Sequence, residues 1–187
     1  MKWVHVTALV SMLALAGLAQ ANPRQRPSPP GTAQLTLGTT KIAIAYSRPK
    51  IRDPRTGAPR KIMGGLVPFG KVWRAGANEA TALTTTGDLT IGNTKIPAGS
   101  YTLFAIPEFS RWTLIVSRKT GEWGIPYPGA QYDFARIPMT VESLDQTVDP
   151  FTISLVAPSP GQSATAPARL CMSWEKTRAC APLHPAP

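Results

Sequence analysis

The residue types best suited to chemistry are concentrated in residues 64–79, which contain four glycines, a tryptophan, an arginine and an Asn-Glu pair. Glycine allows tight turns and close approach of the backbone, so we interpret this stretch as a fixed loop that presents polar side chains. Arginine offers a planar fork of donors, asparagine a donor and an acceptor, and tryptophan a flat stacking surface. Together they could hold a carboxylate, a phosphate or a sugar ring. The predicted ligand-binding residues are Arg48, Trp73, Arg74, Asn78 and Glu79.

The same cluster also fits a purely structural role. In that alternative Glu79 pairs with an arginine and Asn78 bonds backbone groups of the loop, because buried polar and charged groups need partners. Structural ion pairs often imitate functional clusters, so the sequence leaves both interpretations open.

A carboxylate-dependent hydrolase is the catalytic alternative, because glycosidases place two carboxyl groups beside the scissile bond. Glu79 and Asp133 are the candidates, since both lie near aromatic, glycine-rich segments. Aromatic side chains around residues 121–133 could add a stacking platform for a glycan. These side chains are Trp123, Tyr127 and Tyr132.

Two scarce residue types exclude common catalytic designs. The chain has two histidines, His5 near its start and His184 near its end, so the predicted domain between them has none. A Ser-His-Asp triad or an H-E-x-x-H zinc site therefore lacks its histidines. Two cysteines are also too few for a Cys₄ zinc site. We accordingly predict no metal and no cofactor.

The first 21 residues have the pattern of a secretory signal peptide. A basic start precedes an apolar run from Val6 to Leu18, and Ala19-Gln20-Ala21 matches the small-x-small cleavage pattern. The run is shorter than the roughly 20 apolar residues that span a bilayer. We therefore predict cleavage after Ala21 and a periplasmic or secreted protein, with no transmembrane segment in the mature chain.

The chain is basic, with a formal net charge of +10 at pH 7. Export argues against nucleic acid as its partner, and basic residues are concentrated in the segment 48–61. This segment could contact an anionic component of the cell envelope. Its alternative is an ordinary solvated loop.

The elements that must position these residues are short strands. A proline-rich linker over 22–31 leads into many segments that alternate polar and apolar residues or are rich in β-branched ones, separated by Gly/Pro turns. This pattern predicts a single all-β domain over 32–183, followed by a tail at 184–187 and with little helix. An antiparallel β-sandwich is the predicted architecture, with a closed β-barrel as the alternative.

Cys171 and Cys180 lie on the last two predicted strands, 168–174 and 178–182. A turn at Glu175-Lys176 would place them opposite each other, and the cross-strand Cα spacing of roughly 4.5 to 5.5 Å suits a disulfide. We predict a Cys171–Cys180 disulfide that clamps a C-terminal hairpin.

Four sequence blocks carry a resemblance to a known family. They are Tyr46–Pro49, Gly65–Thr81, Ile96–Pro107 and Trp112–Ile115. In this order they resemble an exported bacterial domain of unknown function, over about Gln34 to Pro182. The resemblance implies a secreted or periplasmic single domain and no particular reaction. The chain departs from the family pattern in its longer 53–59 segment and in its cysteine pair.

These observations favour a non-enzymatic exported protein that binds a glycan or a small anionic ligand near Arg74, Asn78 and Glu79. The alternatives are the carboxylate-dependent hydrolase and a structural or partner-binding envelope protein whose basic segment docks on an acidic surface.

Overall fold

The computed structural model describes residues 26–159 and 166–186, so the predicted signal peptide and the first residues of the linker lie outside the described residues. The described chain is all-β, and its one helical element is a 3₁₀ turn at Ala130–Tyr132. The strands are β1 (Pro30–Leu37), β2 (Thr40–Ser47), β3 (Thr81–Thr85), β4 (Leu89–Ile91), β5 (Thr94–Ile96), β6 (Gly99–Pro107), β7 (Arg111–Ser117), β8 (Asp133–Val156) and β9 (Ala168–Pro185).

All nine strands join one antiparallel sheet in the order β1-β2-β3-β6-β7-β8-β9-β4-β5. One apolar core contains Ile42 and Ile44 from β2 together with Ile91 and Ile96 from the opposite end of the sheet. The sheet therefore folds over this core, and its two ends share the same interior. The prediction of an antiparallel β-sandwich is confirmed. The barrel alternative is wrong, because the sheet is not closed and β1 and β5 remain its edges.

The local patterns that predicted strands reflect alternating burial. Along β3, Thr81, Leu83 and Thr85 are buried while the residues between them are exposed. The Gly92-Asn93 pair between two short β-branched segments predicts a hairpin, and β4 and β5 form it, with Leu89 paired to Ile96 and Gly92 in the turn. Gly92 has a φ of 59°, a conformation that glycine adopts without strain.

The last two strands are longer and more bent than the sequence indicates. The residue patterns at 135–141 and 151–156 predict two separate strands, but both segments belong to one strand, β8, whose pairing with β9 shifts register between Ser143 and Thr152. The segments predicted as a terminal hairpin likewise form one strand, β9. Residues 169–173 and 177–180 of β9 both pair with β8 and not with each other. The expected hairpin is therefore a sharp bend within one long strand.

The predicted disulfide is confirmed, and it spans this fold. Cys171 and Cys180 are nine positions apart, yet their Cα atoms are 4.2 Å apart. An extended strand of that length would separate them by roughly 30 Å, at about 3.3 Å per residue. Glu175, between them, has a φ of 52°, which places the sharp bend at this residue.

The connection between β2 and β3, residues 48–80, crosses the sheet and carries most of the predicted site. Trp73 fixes it to β6, since its backbone N–H and C=O both bond Ala105 at 2.8 Å. The Gly70 N–H donates to the Pro107 carbonyl at 2.8 Å. Within the described ranges, no helix is long and apolar enough to cross a membrane.

Candidate functional site

A cavity of about 350 Å³ lies where the 48–80 connection meets the residues before β1 and the irregular segment after β7. Three arginines and three tryptophans contribute to its wall, and no acidic residue does. These residues are Arg55, Arg60, Arg74, Trp73, Trp123 and Trp174. We call this space the Arg/Trp cavity.

Trp73 is fixed within a buried aromatic cluster. Its ring stacks on Trp174 at 6.0 Å and meets Phe151 edge-on at 4.9 Å and Trp112 at 6.2 Å. Its indole N–H donates to the Gly76 carbonyl at 3.1 Å. Trp73 therefore forms a rigid wall of the cavity.

Arg74 links the glycine-rich stretch to the segment after β7. Its guanidinium donates to the Asn78 carbonyl and, at 3.1 Å, to the Trp123 carbonyl. It also lies 5.5 Å from the centre of the Trp123 ring, a cation–π distance. Burial lowers the pKa of Arg74, while the charge of Glu79 opposes this shift. Arginine titrates so far above neutrality that the side chain stays charged.

Asn78 lines the cavity, but its side-chain amide forms hydrogen bonds that stabilise the fold. It is 3 % exposed, and its Nδ2 donates to the Ser28 carbonyl at 2.8 Å and to Ser47 Oγ at 3.0 Å. These bonds hold the residues before β1 against the loop. For Asn78 the geometry therefore matches the structural alternative.

Glu79 and Arg48 lie outside the cavity wall. Glu79 is partly exposed and pairs with Arg26. Arg48 donates to the Phe151 carbonyl at 3.3 Å and to Thr152 Oγ1 at 3.1 Å, which ties the end of β2 to β8. The structure thus brings Trp73, Arg74 and Asn78 together at the cavity and places the other two predicted residues elsewhere.

Asp133, the second carboxylate of the hydrolase alternative, is engaged by its neighbours. Its Oδ2 forms an ion pair with Arg136 at 2.7 Å, and its Oδ1 accepts a hydrogen bond from the Tyr127 hydroxyl. Burial, together with this bond to a carboxylate, raises the pKa of Tyr127 to about 12. These contacts fix the start of β8.

Glu122, a carboxylate that the sequence interpretation does not select, lines a separate concavity of about 350 Å³ together with Glu79 and Trp123. Its Oε1 is buried without a hydrogen-bond partner among the described residues. Burial raises the pKa of Glu122, although the charge of Lys119 partly offsets this. Nothing in the local sequence marks this position, because the burial depends on the neighbouring loop.

The sequence predicts other roles for Trp174 and Arg55. Trp174 ends the predicted strand 168–174, a position that favours capping the core, and it is fully buried, yet it also borders the cavity and its buried indole N–H has no partner in the described chain. Arg55 was grouped with the basic segment, and it reaches the cavity because Asp53 turns the loop by accepting the Arg55 backbone N–H at 2.8 Å.

No group of three or more His, Cys, Asp or Glu side chains in residues 26–159 and 166–186 could hold a metal ion. The cavity wall combines arginine side chains with aromatic surfaces. Guanidinium forks pair with carboxylates and phosphates, and aromatic faces stack on flat or ring-shaped groups.

The fold and the site define an all-β domain with a cationic, aromatic cavity. The chain belongs to the DUF2911 family of proteins of unknown function, whose profile matches residues 28–183. This confirms the resemblance to a domain of unknown function, while the four individual blocks and export stay predictions. No curated protein and no solved structure matches the chain significantly.

Proposed function

We propose that the protein binds a small acidic ligand, of the sugar-acid type, in the Arg/Trp cavity. The observation that carries this proposal is the composition of the wall, which has three arginines and three tryptophans without a single acidic side chain. A volume of about 350 Å³ is at the lower end of the range of ligand sites in proteins, which suits one ring better than a long chain.

Arg55 is the residue that we expect to bind the ligand's carboxylate. Its side chain is exposed and has no ion pair or hydrogen bond within the described ranges. A guanidinium presents two parallel N–H groups that match the two oxygens of a carboxylate. Arg60 and Arg74, in contrast, already donate to backbone carbonyls, and Arg60 also lies 4.0 Å from the Asp53 carboxylate, so these two arginines serve mainly as fixed walls.

The aromatic residues supply the remaining part of the recognition. Trp123 is 47 % exposed, so part of its ring surface is open to a sugar ring. The Trp174 N–H is buried behind the cavity surface without a partner among the described residues, so a ligand oxygen would reach it only after a small shift of the ring, and such a buried donor gains the most from an acceptor. A sugar acid uses all three features, whereas a neutral sugar leaves the arginines unused.

The test compares D-galacturonate with D-galactose, which share a ring and differ by the carboxylate. Isothermal titration should show binding of galacturonate and at least about tenfold weaker binding of galactose, because a bidentate charged contact is lost. Arg55→Ala should weaken galacturonate binding by about tenfold, while Lys71→Ala should not. Lys71 is an exposed cation outside the cavity, so Lys71→Ala removes the same single positive charge as Arg55→Ala without changing the cavity wall.

Equal binding of the two sugars, or an equal effect of the two substitutions, would contradict the proposal. The hydrolase alternative has less support, because Asp133 is held by Arg136 and Tyr127.

A further inference from the structure

A second concavity, of about 620 Å³, lies on the side of the molecule formed by β7, β8, β9 and residues 61–69. No residue of its wall belongs to the Arg/Trp cavity. Its apolar residues define what we call the aromatic groove: Met63, Phe69, Phe109, Trp112 and Val141. Phe109 is 89 % exposed and Phe69 is 43 % exposed. Contiguous exposed apolar surface of this kind is characteristic of binding sites.

The two phenylalanines are held in place by their surroundings. Their rings meet edge to face at 6.5 Å, and the Gly70 N–H bond to the Pro107 carbonyl joins the two turns that carry them. Gly64 has a φ of 73°, and a Cβ there would lie 3.0 Å from Phe69 Cε2. The exposed ring pair is therefore a built feature of the surface.

The charges around the groove favour an anion. Lys61 and Lys176 line it, are exposed, and make no ion pair or side-chain hydrogen bond in the part of the chain that the structure describes. Glu142 also lines it, but Arg169 and Arg178 lie 3.3 and 3.4 Å from its carboxylate. The wall itself has two lysines and two glutamates, and the positive excess around the groove comes from Arg169 and Arg178, which pair with Glu142 and leave Glu108 to oppose the two free ammonium groups.

The backbone around the groove is already paired. Trp112 pairs with Met139 across β7 and β8, and Val141 pairs with Ala179 across β8 and β9. The sheet edges that could accept an added peptide strand, β1 and β5, belong to other parts of the sheet. Recognition at the groove therefore relies on side chains rather than on the addition of a strand, and the apolar side chains and the two ammonium groups are its main features.

We propose that the aromatic groove binds a single long-chain carboxylate, a fatty-acid-type amphiphile. The alkyl chain lies along Met63, Phe69, Phe109 and Val141, and the carboxylate faces Lys61 and Lys176. This ligand uses the apolar surface and the free positive charge together, and it requires no backbone donor. The assignment is independent of the function proposed for the Arg/Trp cavity.

The test titrates the purified protein with monomeric octanoate, decanoate and dodecanoate by calorimetry. Affinity should rise by about threefold to fourfold for each added CH₂ group that becomes buried. Decanoate should bind more tightly than decanol, and the Lys61→Ala/Lys176→Ala double substitution should remove that difference.

Phe109→Ser should weaken decanoate binding by at least about tenfold, since a buried phenyl contact is lost. Its ring is almost fully exposed, so the substitution leaves the fold intact. Val156→Ser is the matched control, because it removes another exposed apolar side chain, 46 % exposed, outside the groove. Decanoate binding should be unchanged in that variant.

Affinity that does not depend on chain length, or that survives Phe109→Ser, would overturn the proposal. Binding to phosphatidylglycerol vesicles through Phe109, without binding of monomeric decanoate, would overturn it as well. That result would assign the exposed rings to a membrane surface.

Discussion

Trp174 combines full burial with an indole N–H that has no hydrogen-bond partner among the described residues. A buried donor without an acceptor destabilises a folded protein by about 1–3 kcal/mol, so each one calls for a physical explanation. Trp174 borders the Arg/Trp cavity with its N–H buried, so the proposed function explains this donor by a ligand oxygen that approaches it when the ring shifts on binding.

Trp174→Phe tests this explanation, with Trp112→Phe as its control. Both tryptophans are fully buried and pack against Trp73, so both substitutions remove a similar volume. Among the described residues, Trp174 has the only indole N–H that is both buried and unpartnered, so Trp174→Phe should destabilise less than the control, by about 1–2 kcal/mol in urea unfolding. Trp174→Phe should also weaken galacturonate binding several-fold, whereas Trp112→Phe should not.

Equal destabilisation by the two substitutions, with galacturonate affinity unchanged in both, would remove Trp174 from the site. The stability comparison is made without ligand. It therefore remains informative even if galacturonate is the wrong probe.

At the scale of elements, the fold in β9 brings two distant parts of one strand together. The bend at Glu175 places Cys171 and Cys180 within disulfide reach, while β8 pairs with the strand on both sides of the bend. Covalent closure limits the freedom of the unfolded chain at the place where the native strand is most bent.

Replacing both cysteines by alanine should lower the free energy of unfolding by about 2–3 kcal/mol, which is the chain-entropy value for so short a loop. Urea unfolding of the wild type with and without dithiothreitol should show the same loss, because reduction removes the same constraint. The double variant should not respond to dithiothreitol. A wild-type midpoint that is insensitive to the reductant would contradict a stabilising role for the bond.

The same two elements show how far local sequence patterns extend. The β4–β5 hairpin was predictable because its alternation and its Gly-Asn turn lie within eight residues. The continuity of β8 was not predictable, because its strand pairing persists through a polar, register-shifted stretch that depends on β9. Pairing with β9 keeps this stretch of β8 extended, and such long-range pairing produces no alternating pattern in the local sequence.

The candidate site shows the same limit. The sequence singled out Trp73, Arg74 and Asn78, which the structure places at the cavity, because their glycine-rich setting is a local signal. It did not foresee that Asn78 bonds Ser28 and Ser47, which lie 50 and 31 positions away. Burial and contacts over such separations follow from the fold of the whole chain.

At the scale of the whole molecule, the segment that follows the predicted signal-peptide cleavage point also contributes to the Arg/Trp cavity. Ser28 lines the Arg/Trp cavity, and Arg26 pairs with Glu79, so the chain just after the proposed cleavage point is part of the folded domain. A signal peptide removed after Ala21 would leave four residues before Arg26. Export would also supply the oxidising environment in which disulfides persist.

Export is tested by expressing the full chain in a Gram-negative host and sequencing the N-terminus of the protein in the periplasmic and culture fractions. The sequence should begin at Asn22. Ala21→Glu should block processing, because cleavage requires a small residue at that position, whereas Gln20→Glu should be processed normally. Gln20 occupies the unrestricted middle position of the small-x-small pattern, and Gln20→Glu adds the same negative charge as Ala21→Glu. Unprocessed protein in the cytoplasm, or identical behaviour of the two variants, would show that residues 1–21 are not a cleaved secretion signal.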